Sequence, residues 1–208
     1  MMAVLFAFPA HADRSKALAW LQSQSETNGH WKAFGTLDFP SGQIFIGDPT
    51  WGDDYHIRWP QKAPADSVDV YVYRRLDGTN LMVWLEVAGT TPATRGDSYD
   101  FGVDAASFAL GDLSGGQALV ALGERWQDMG RGDSFEFIAP HLQSSRTPAK
   151  WLPIPGSNTR IFLAGTGTDG GFAGVWLYDK NGALSGILID IRGNPKTGKY
   201  IDTALPKK

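Results

Sequence analysis

The residues of this 208-residue chain whose types and setting could do chemistry are aspartates, half of them beside glycine or proline. They are Asp48, Asp53 and Asp54 in GDPTWGDDYH, Asp100, Asp104 and Asp112 in YDFGVDAASFALGD, Asp169 in GTGTDG, and Asp190. Carboxylates that converge in space can hold a hard cation or divide the acid and base roles of a reaction between them. Taken singly, an aspartate in such a setting is more simply an acceptor of backbone N–H groups in a turn. The regular D-x-[DN]-x-[DN]-G calcium spacing is absent from the sequence, so no metal and no cofactor is assigned. If the chain is an enzyme, Asp48, Asp104, Asp112 and Asp169 are the catalytic candidates, as a convergent set on the rim of a sheet.

Other matches to chemical motifs fail on context. GTGTDG at 165–170 satisfies G-x-G-x-x-G, but a dinucleotide needs a helix N-terminus next, and here a strand-like run and Asn181-Gly182 follow. GDLSGG at 111–116 carries one leucine more than the surround of a trypsin-like serine nucleophile, which displaces the oxyanion-hole backbone relative to Ser114. The histidines His11, His30, His56 and His141 are scattered and form no H-E-x-x-H or H-x-H pair. The triplets Arg95–Asp97 and Arg131–Asp133 read as turns.

A second kind of chemistry is recognition. WGDDYHIRWP gathers Trp51, Asp53, Asp54, Tyr55, His56, Arg58 and Trp59 between two strand-like runs, a mixture suited to stacking on a ligand or anchoring a partner protein. The competing reading is that these aromatics close the core, since eight tryptophans must be housed somewhere.

The elements that must position these residues are mostly strands. Twenty-five glycines, twelve prolines and 12% aromatics, spread along the chain, suit short strands joined by tight turns. Strand-like runs are GQIFIGDP, SVDVYVY with its return LMVWLEV after Asp77-Gly78, YDFGVDAASFALGD, SFEFIAPHL, TRIFLAG, and the stretch from 170 to 191. In that last stretch Asn181-Gly182 predicts a two-residue type I′ turn that sets Trp176 opposite Ile187 and Tyr178 opposite Ser185. One face then carries Phe172, Trp176, Tyr178, Ile187, Ile189 and Ile191, and the other Val175, Leu177, Leu184 and Leu188. Both faces are apolar, which places the hairpin centrally with a covering layer on each side. SKALAWLQSQSE is the best helical signal, GGQALVALGERWQDMG fits neither period, and the proline-bearing stretches 60–64 and 148–155 read as loops. The expected fold is mainly β: a two-layer antiparallel sandwich or roll with one short N-terminal helix.

Length and charge set the remaining bounds. At 42% apolar and 20% charged, residues 13–208 suit a single β-rich domain. A net charge of −3 with no basic run gives no footprint for nucleic acid. No apolar run reaches the length of a membrane-spanning helix, and the absence of cysteine excludes disulfides and thiolate chemistry. Residues 1–12, MMAVLFAFPAHA, have the form of the end of a secretory signal with an A-x-A cleavage site but no basic n-region. That favours a periplasmic or secreted protein; the alternative is a buried N-terminal element of a cytoplasmic one.

Three blocks, GQIFIGDP at 42–49, FGVDAASFALGD at 101–112 and GTGTDGGFAGVWLYDKNGALSGILIDI at 165–191, together resemble the bacterial domain of unknown function 4241 family in order and spacing. The resemblance covers residues 42–191 and sets Asp48, Asp104, Asp112, Asp169, Gly170 and Asp190 at the family's recurring positions; Ala105-Ala106 stand where that family's pattern has a glycine. It implies a compact β-rich domain and no particular activity. The sequence supports two functions: a non-catalytic binding protein, of the immunity type that inhibits a bacterial toxin, or a carboxylate-dependent hydrolase or metal-binding enzyme.

Overall fold

The computed structural model describes residues 15–23, 28–50, 61–87, 89–143, 147–191 and 205–208. Helix α1 (Ser15–Ser23) precedes strands β1 (Gly29–Asp38), β2 (Gln43–Gly47), β3 (Gln61–Lys62), β4 (Ser67–Arg75), β5 (Asn80–Glu86), β6 (Thr94–Val103) and β7 (Ser107–Asp112). Two helices follow, α2 (Leu113–Asp128) and α3 (Ser134–Gln143), and then β8 (Ala149–Pro153), β9 (Arg160–Gly165), β10 (Gly170–Tyr178) and β11 (Leu184–Asp190). The strands form one antiparallel sheet in the order β1-β4-β5-β11-β10-β6 and a second in the order β3-β2-β7-β9-β8. The fold is mainly β and sandwich-like, as composition predicts.

Alternation along the strands builds three apolar layers. Val70, Val72, Val83, Leu85, Ile187 and Ile189 of the first sheet meet Ile44, Ile46, Phe108, Leu110 and Phe162 of the second. The opposite residues of the first sheet, Tyr71, Tyr73, Met82, Trp84, Val175, Leu177 and Leu188, are covered by Ala17 and Leu21 of α1. Phe45, Ala109, Ile161 and Leu163, on the far face of the second sheet, meet Leu119 and Leu122 of α2 and Ile138 of α3. Each fully buried Leu, Ile or Phe contributes roughly 1.5–3 kcal/mol of transfer free energy. Polar ties cross between the sheets: Asn80 Nδ2 donates to Pro148 O at 2.9 Å and Gly165 O at 3.1 Å, and Trp151 Nε1 donates to Phe34 O at 2.6 Å.

Several expectations need correction. SFEFIAPHL is helical, not extended: Phe135 N–H donates to the Asp133 carboxylate, which caps the helix, and Ile138 is its fully buried contact. Residues 113–128 are helical, and residues 149–153, expected in a loop, form an edge strand on β9. The segment Gly29–Asp38, expected as nothing in particular, is a ten-residue strand on β4. Arg95–Asp97 lies within β6 and is not a turn, whereas Arg131–Asp133 does connect two helices.

The β10–β11 hairpin keeps the Trp176–Ile187 pair and the predicted faces of Phe172, Trp176, Ile187, Ile189 and Ile191 and of Val175, Leu177 and Leu188, but Tyr178 opposes Leu184 and not Ser185, so that two residues expected on opposite faces are paired. Its turn is not type I′, because among the described residues Ala106 is the sole non-glycine with positive φ, so Asn181 has negative φ. Instead Gly182 N–H donates to Asp179 O, Asp179 N–H donates to Ala183 O, and Gly182 takes φ +79°. The loop is therefore three residues long, a type I turn completed by a left-handed glycine. The Asp179 carboxylate favours it by accepting from the N–H groups of Asn181 and Ala183, both at 2.8 Å.

Candidate functional site

β2 ends at Gly47, and the next residue, Asp48, is 1% exposed. Its Oδ1 accepts from Thr50 N–H at 2.7 Å and from the Thr50 hydroxyl at 2.5 Å. Its Oδ2 reaches the corner between β6 and β7, accepting from Asp104 N–H at 2.5 Å and Ala105 N–H at 3.0 Å. The next amide of that corner, Ala106 N–H, donates to Asp169 Oδ1 at 2.9 Å. Ala106 O in turn accepts from Thr166 and Gly167 N–H groups. Three consecutive amides, which at a chain corner point in the same general direction and would otherwise bind an anion, are thus satisfied by carboxylates from the end of β2 and from the β9–β10 connector.

Ala106 takes φ +46° at this corner, a left-handed conformation that costs a non-glycine residue about 1–2 kcal/mol. GTGTDG is the connector that closes the corner: Gly165 ends β9, Gly170 begins β10, and no helix follows to present an N-terminus to a dinucleotide.

Asp112 sits apart from this group. β7 separates it from Ala106 by six residues, roughly 20 Å at the rise of a strand, beyond the separation of about 10 Å at which paired carboxylates cooperate. There it is the N-cap of α2. Its Oδ2 accepts from Ser114 N–H at 2.9 Å and the Ser114 hydroxyl at 2.5 Å; its Oδ1 accepts from Ser41 N–H at 2.9 Å and the Ser41 hydroxyl at 2.6 Å. Burial alone would raise its pKa, but the hydrogen bonds from Ser114 and Ser41 outweigh that and hold it below the ordinary aspartate value. The expected convergence of four aspartates is therefore corrected: Asp48 and Asp169 meet the backbone of the 104–106 corner, which contains Asp104, and Asp112 lies at the opposite end of β7.

Of the three, Asp104 and Asp169 are exposed and Asp48 is enclosed. Among the described residues, no three Asp, Glu or His side chains lie close enough to hold a metal ion. Asp100 is exposed on β6, and Asp190 is buried on β11 opposite Met82. His30 is exposed on β1; His141 lies on α3, where burial and then the charge of Lys150 depress its pKa.

The recognition segment, Trp51, Asp53, Asp54, Tyr55, His56, Arg58 and Trp59, lies outside the described residues. Its point of departure does not: Thr50 is held by Asp48, and Thr50 O accepts from the hydroxyl of the fully buried Ser134 at the start of α3, at 3.4 Å. Thr50, the last described residue before that segment, thus lies where β2, the acidic corner and α3 meet, and β3 is the next described element.

Sequence reasoning missed Ser41, Thr50 and Ser114 as carboxylate partners. A signal for two of them was present, since Asp48-Pro49-Thr50 and Asp112-Leu113-Ser114 share the spacing D-x-[ST], in which the aspartate accepts from the amide two residues on. It also missed the exposed apolar side chains of Met129, between α2 and α3, and Phe135, in the first turn of α3. No helix among the described residues is long and apolar enough to cross a membrane. No family model, curated protein or solved structure matches the chain.

Proposed function

We propose that this chain is an exported bacterial binding protein without catalytic activity, of the immunity type that blocks a toxin protein, and a member of the domain of unknown function 4241 family. The observation that carries the reading is saturation. A carboxylate has about four acceptor positions, and Asp48 and Asp112 each accept four hydrogen bonds from their own fold. Two of the four candidate catalytic groups are thereby committed to holding turns and a helix cap. What these bonds support instead is a fixed Thr50, the residue that precedes the Trp51–Trp59 segment, in a fold whose Asp104 and Asp169 are exposed.

The test is capture of a protein partner from native bacterial extract by the intact chain and by a Trp51→Ala, Trp59→Ala variant with the same circular dichroism. A stoichiometric partner lost in the variant is expected; recovery of none by the intact chain would overturn the proposal. The hydrolase alternative is favoured by one observation, that Asp104 and Asp169 are exposed on one corner. Turnover of an ester, phosphate or glycoside abolished by Asp104→Asn would select it.

A further inference from the structure

Among the described residues, β6 is the outermost strand of the six-stranded sheet. A strand in that position presents backbone groups that another extended segment can pair with, and one segment of this chain does so. Arg95 N–H donates to Pro206 O at 3.0 Å and Lys208 N–H donates to Arg95 O at 2.7 Å, which makes a parallel bridge between Arg95 and Lys207. Lys208 Nζ donates to Gly182 O at 3.2 Å and lies 3.8 Å from the centroid of the Tyr178 ring. Leu205 packs against the outer apolar face of the same sheet.

Leu205–Lys208 is therefore held by backbone pairing, one apolar contact and one ammonium seat, the three ingredients by which an extended peptide adds to a sheet edge with some sequence preference. The direction of the pairing matters. An occupant running parallel to β6 and continuing past Arg95 would pass the exposed Asp97 and Asp100, and Arg95 is the single basic residue of this strand. The edge is thus complementary in charge to a lysine-rich strand.

We propose that the β6 edge is a docking site for an extended, lysine-bearing segment of a partner protein, bound parallel to β6, and that Leu205–Lys208 fills this site when the partner is absent. The site extends the binding reading to a second surface and does not involve the Trp51–Trp59 segment. Its test uses the whole chain, a Lys208→Glu variant, and a fluorescein-labelled probe peptide, Ala-Leu-Pro-Lys-Lys-Val-Lys-Val-Lys, followed by anisotropy. Lys208 is exposed, so its replacement weakens the resident segment without touching the core.

The variant is expected to bind the probe about fivefold more tightly than the parent chain, the factor that corresponds to losing ~1 kcal/mol of ammonium–aromatic contact in the competitor. The probe should also shift the amide resonances of Arg95 and Asp97, and a control peptide with glutamate in place of each lysine should not bind. Equal affinity of parent and variant, binding of the control as tight as the probe, or no binding to either chain would overturn the proposal. Concentration-dependent dimerisation of the Lys208→Glu chain with no effect of the probe would assign the edge to a second copy and overturn it as well. Retention of probe binding by the Trp51→Ala, Trp59→Ala chain is expected, so that failure of this site and failure of the function proposed above are separate results.

Discussion

At the scale of single residues, an aspartate that accepts four hydrogen bonds is a structural part, and its loss strands its donors. Replacing Asp48 with alanine leaves the amides of Thr50, Asp104 and Ala105 without their acceptor. These donors are part-buried, so a loss of about 1–3 kcal/mol is expected, read from the midpoint of urea unfolding. Ala106→Gly should act in the opposite direction, since glycine takes φ +46° without strain: a net gain of about 0.5–1 kcal/mol after the entropy glycine adds to the unfolded chain, measured by thermal unfolding. Asp112 makes stability depend on pH. Its folded pKa is depressed, so its contribution is complete above the ordinary aspartate pKa and is lost as pH falls through the lowered folded value. Unfolding of the parent chain and of Asp112→Asn, compared from pH 6 down to about pH 2, should show a steeper acid decline in the parent. These roles were half legible. The local partner of each carboxylate, two residues ahead, follows from D-x-[ST] spacing; the distant partners, Ser41 for Asp112 and the 104–106 corner for Asp48 and Asp169, depend on which strands become neighbours.

At the scale of elements, the hairpins were legible as hairpins because apolar alternation continues on both sides of a glycine-bearing turn. The turn type was not, because the Asp179 carboxylate stabilises a longer loop than Asn-Gly alone would choose. The same three-residue form recurs between β4 and β5, where Gly78 N–H donates to Arg75 O, Arg75 N–H to Thr79 O, and Thr79 N–H to the Asp77 carboxylate. α3 was misread because Phe135 and Phe137 alternate with polar residues and Pro140 lies within the helix, features that belong more often to extended chain. Gly186 shows how tightly the central strands approach. It sits at φ +153°, and a Cβ there would lie 2.0 Å from Leu85 O and 2.7 Å from the Trp84 ring. Gly186→Ala should therefore destabilise by about 3 kcal/mol or more, with loss of the near-ultraviolet signal of buried Trp84 as the local readout.

At the scale of the molecule, two sheets enclose one core and expose two further apolar faces, each roofed by helix. The sandwich itself was legible in composition and alternation. The roof over the second sheet was not, because the apolar residues of 113–128 are interrupted by Gly115, Gly116 and Gly123, which bring α2 close to Phe45, Arg160 and Ser134. Over the first sheet, the buried roof contacts among the described residues are Ala17 and Leu21 of α1. A chain beginning at Asn28 should keep its β-sheet circular dichroism, bind a hydrophobic dye over the uncovered Tyr71, Met82, Trp84 and Leu188, and unfold at a lower temperature than the parent.

The corner at Asp104–Ala106 carries a further consequence, for the order of events in folding. It is sealed by acceptors 56 residues away in sequence, at Asp48, and 63 residues away, at Asp169, so its hydrogen bonds can form only after β2 and the β9–β10 connector have both arrived beside it. Hairpin contacts close far shorter loops and have less entropy to overcome. The corner is then a late lock, absent from the transition state. Asp48→Asn should leave the refolding rate nearly unchanged and speed unfolding, so that stopped-flow chevrons of the two chains coincide on the refolding arm and separate on the unfolding arm. On that account the acidic corner sets how long the native state lasts once made, and the hairpins set how quickly it is reached.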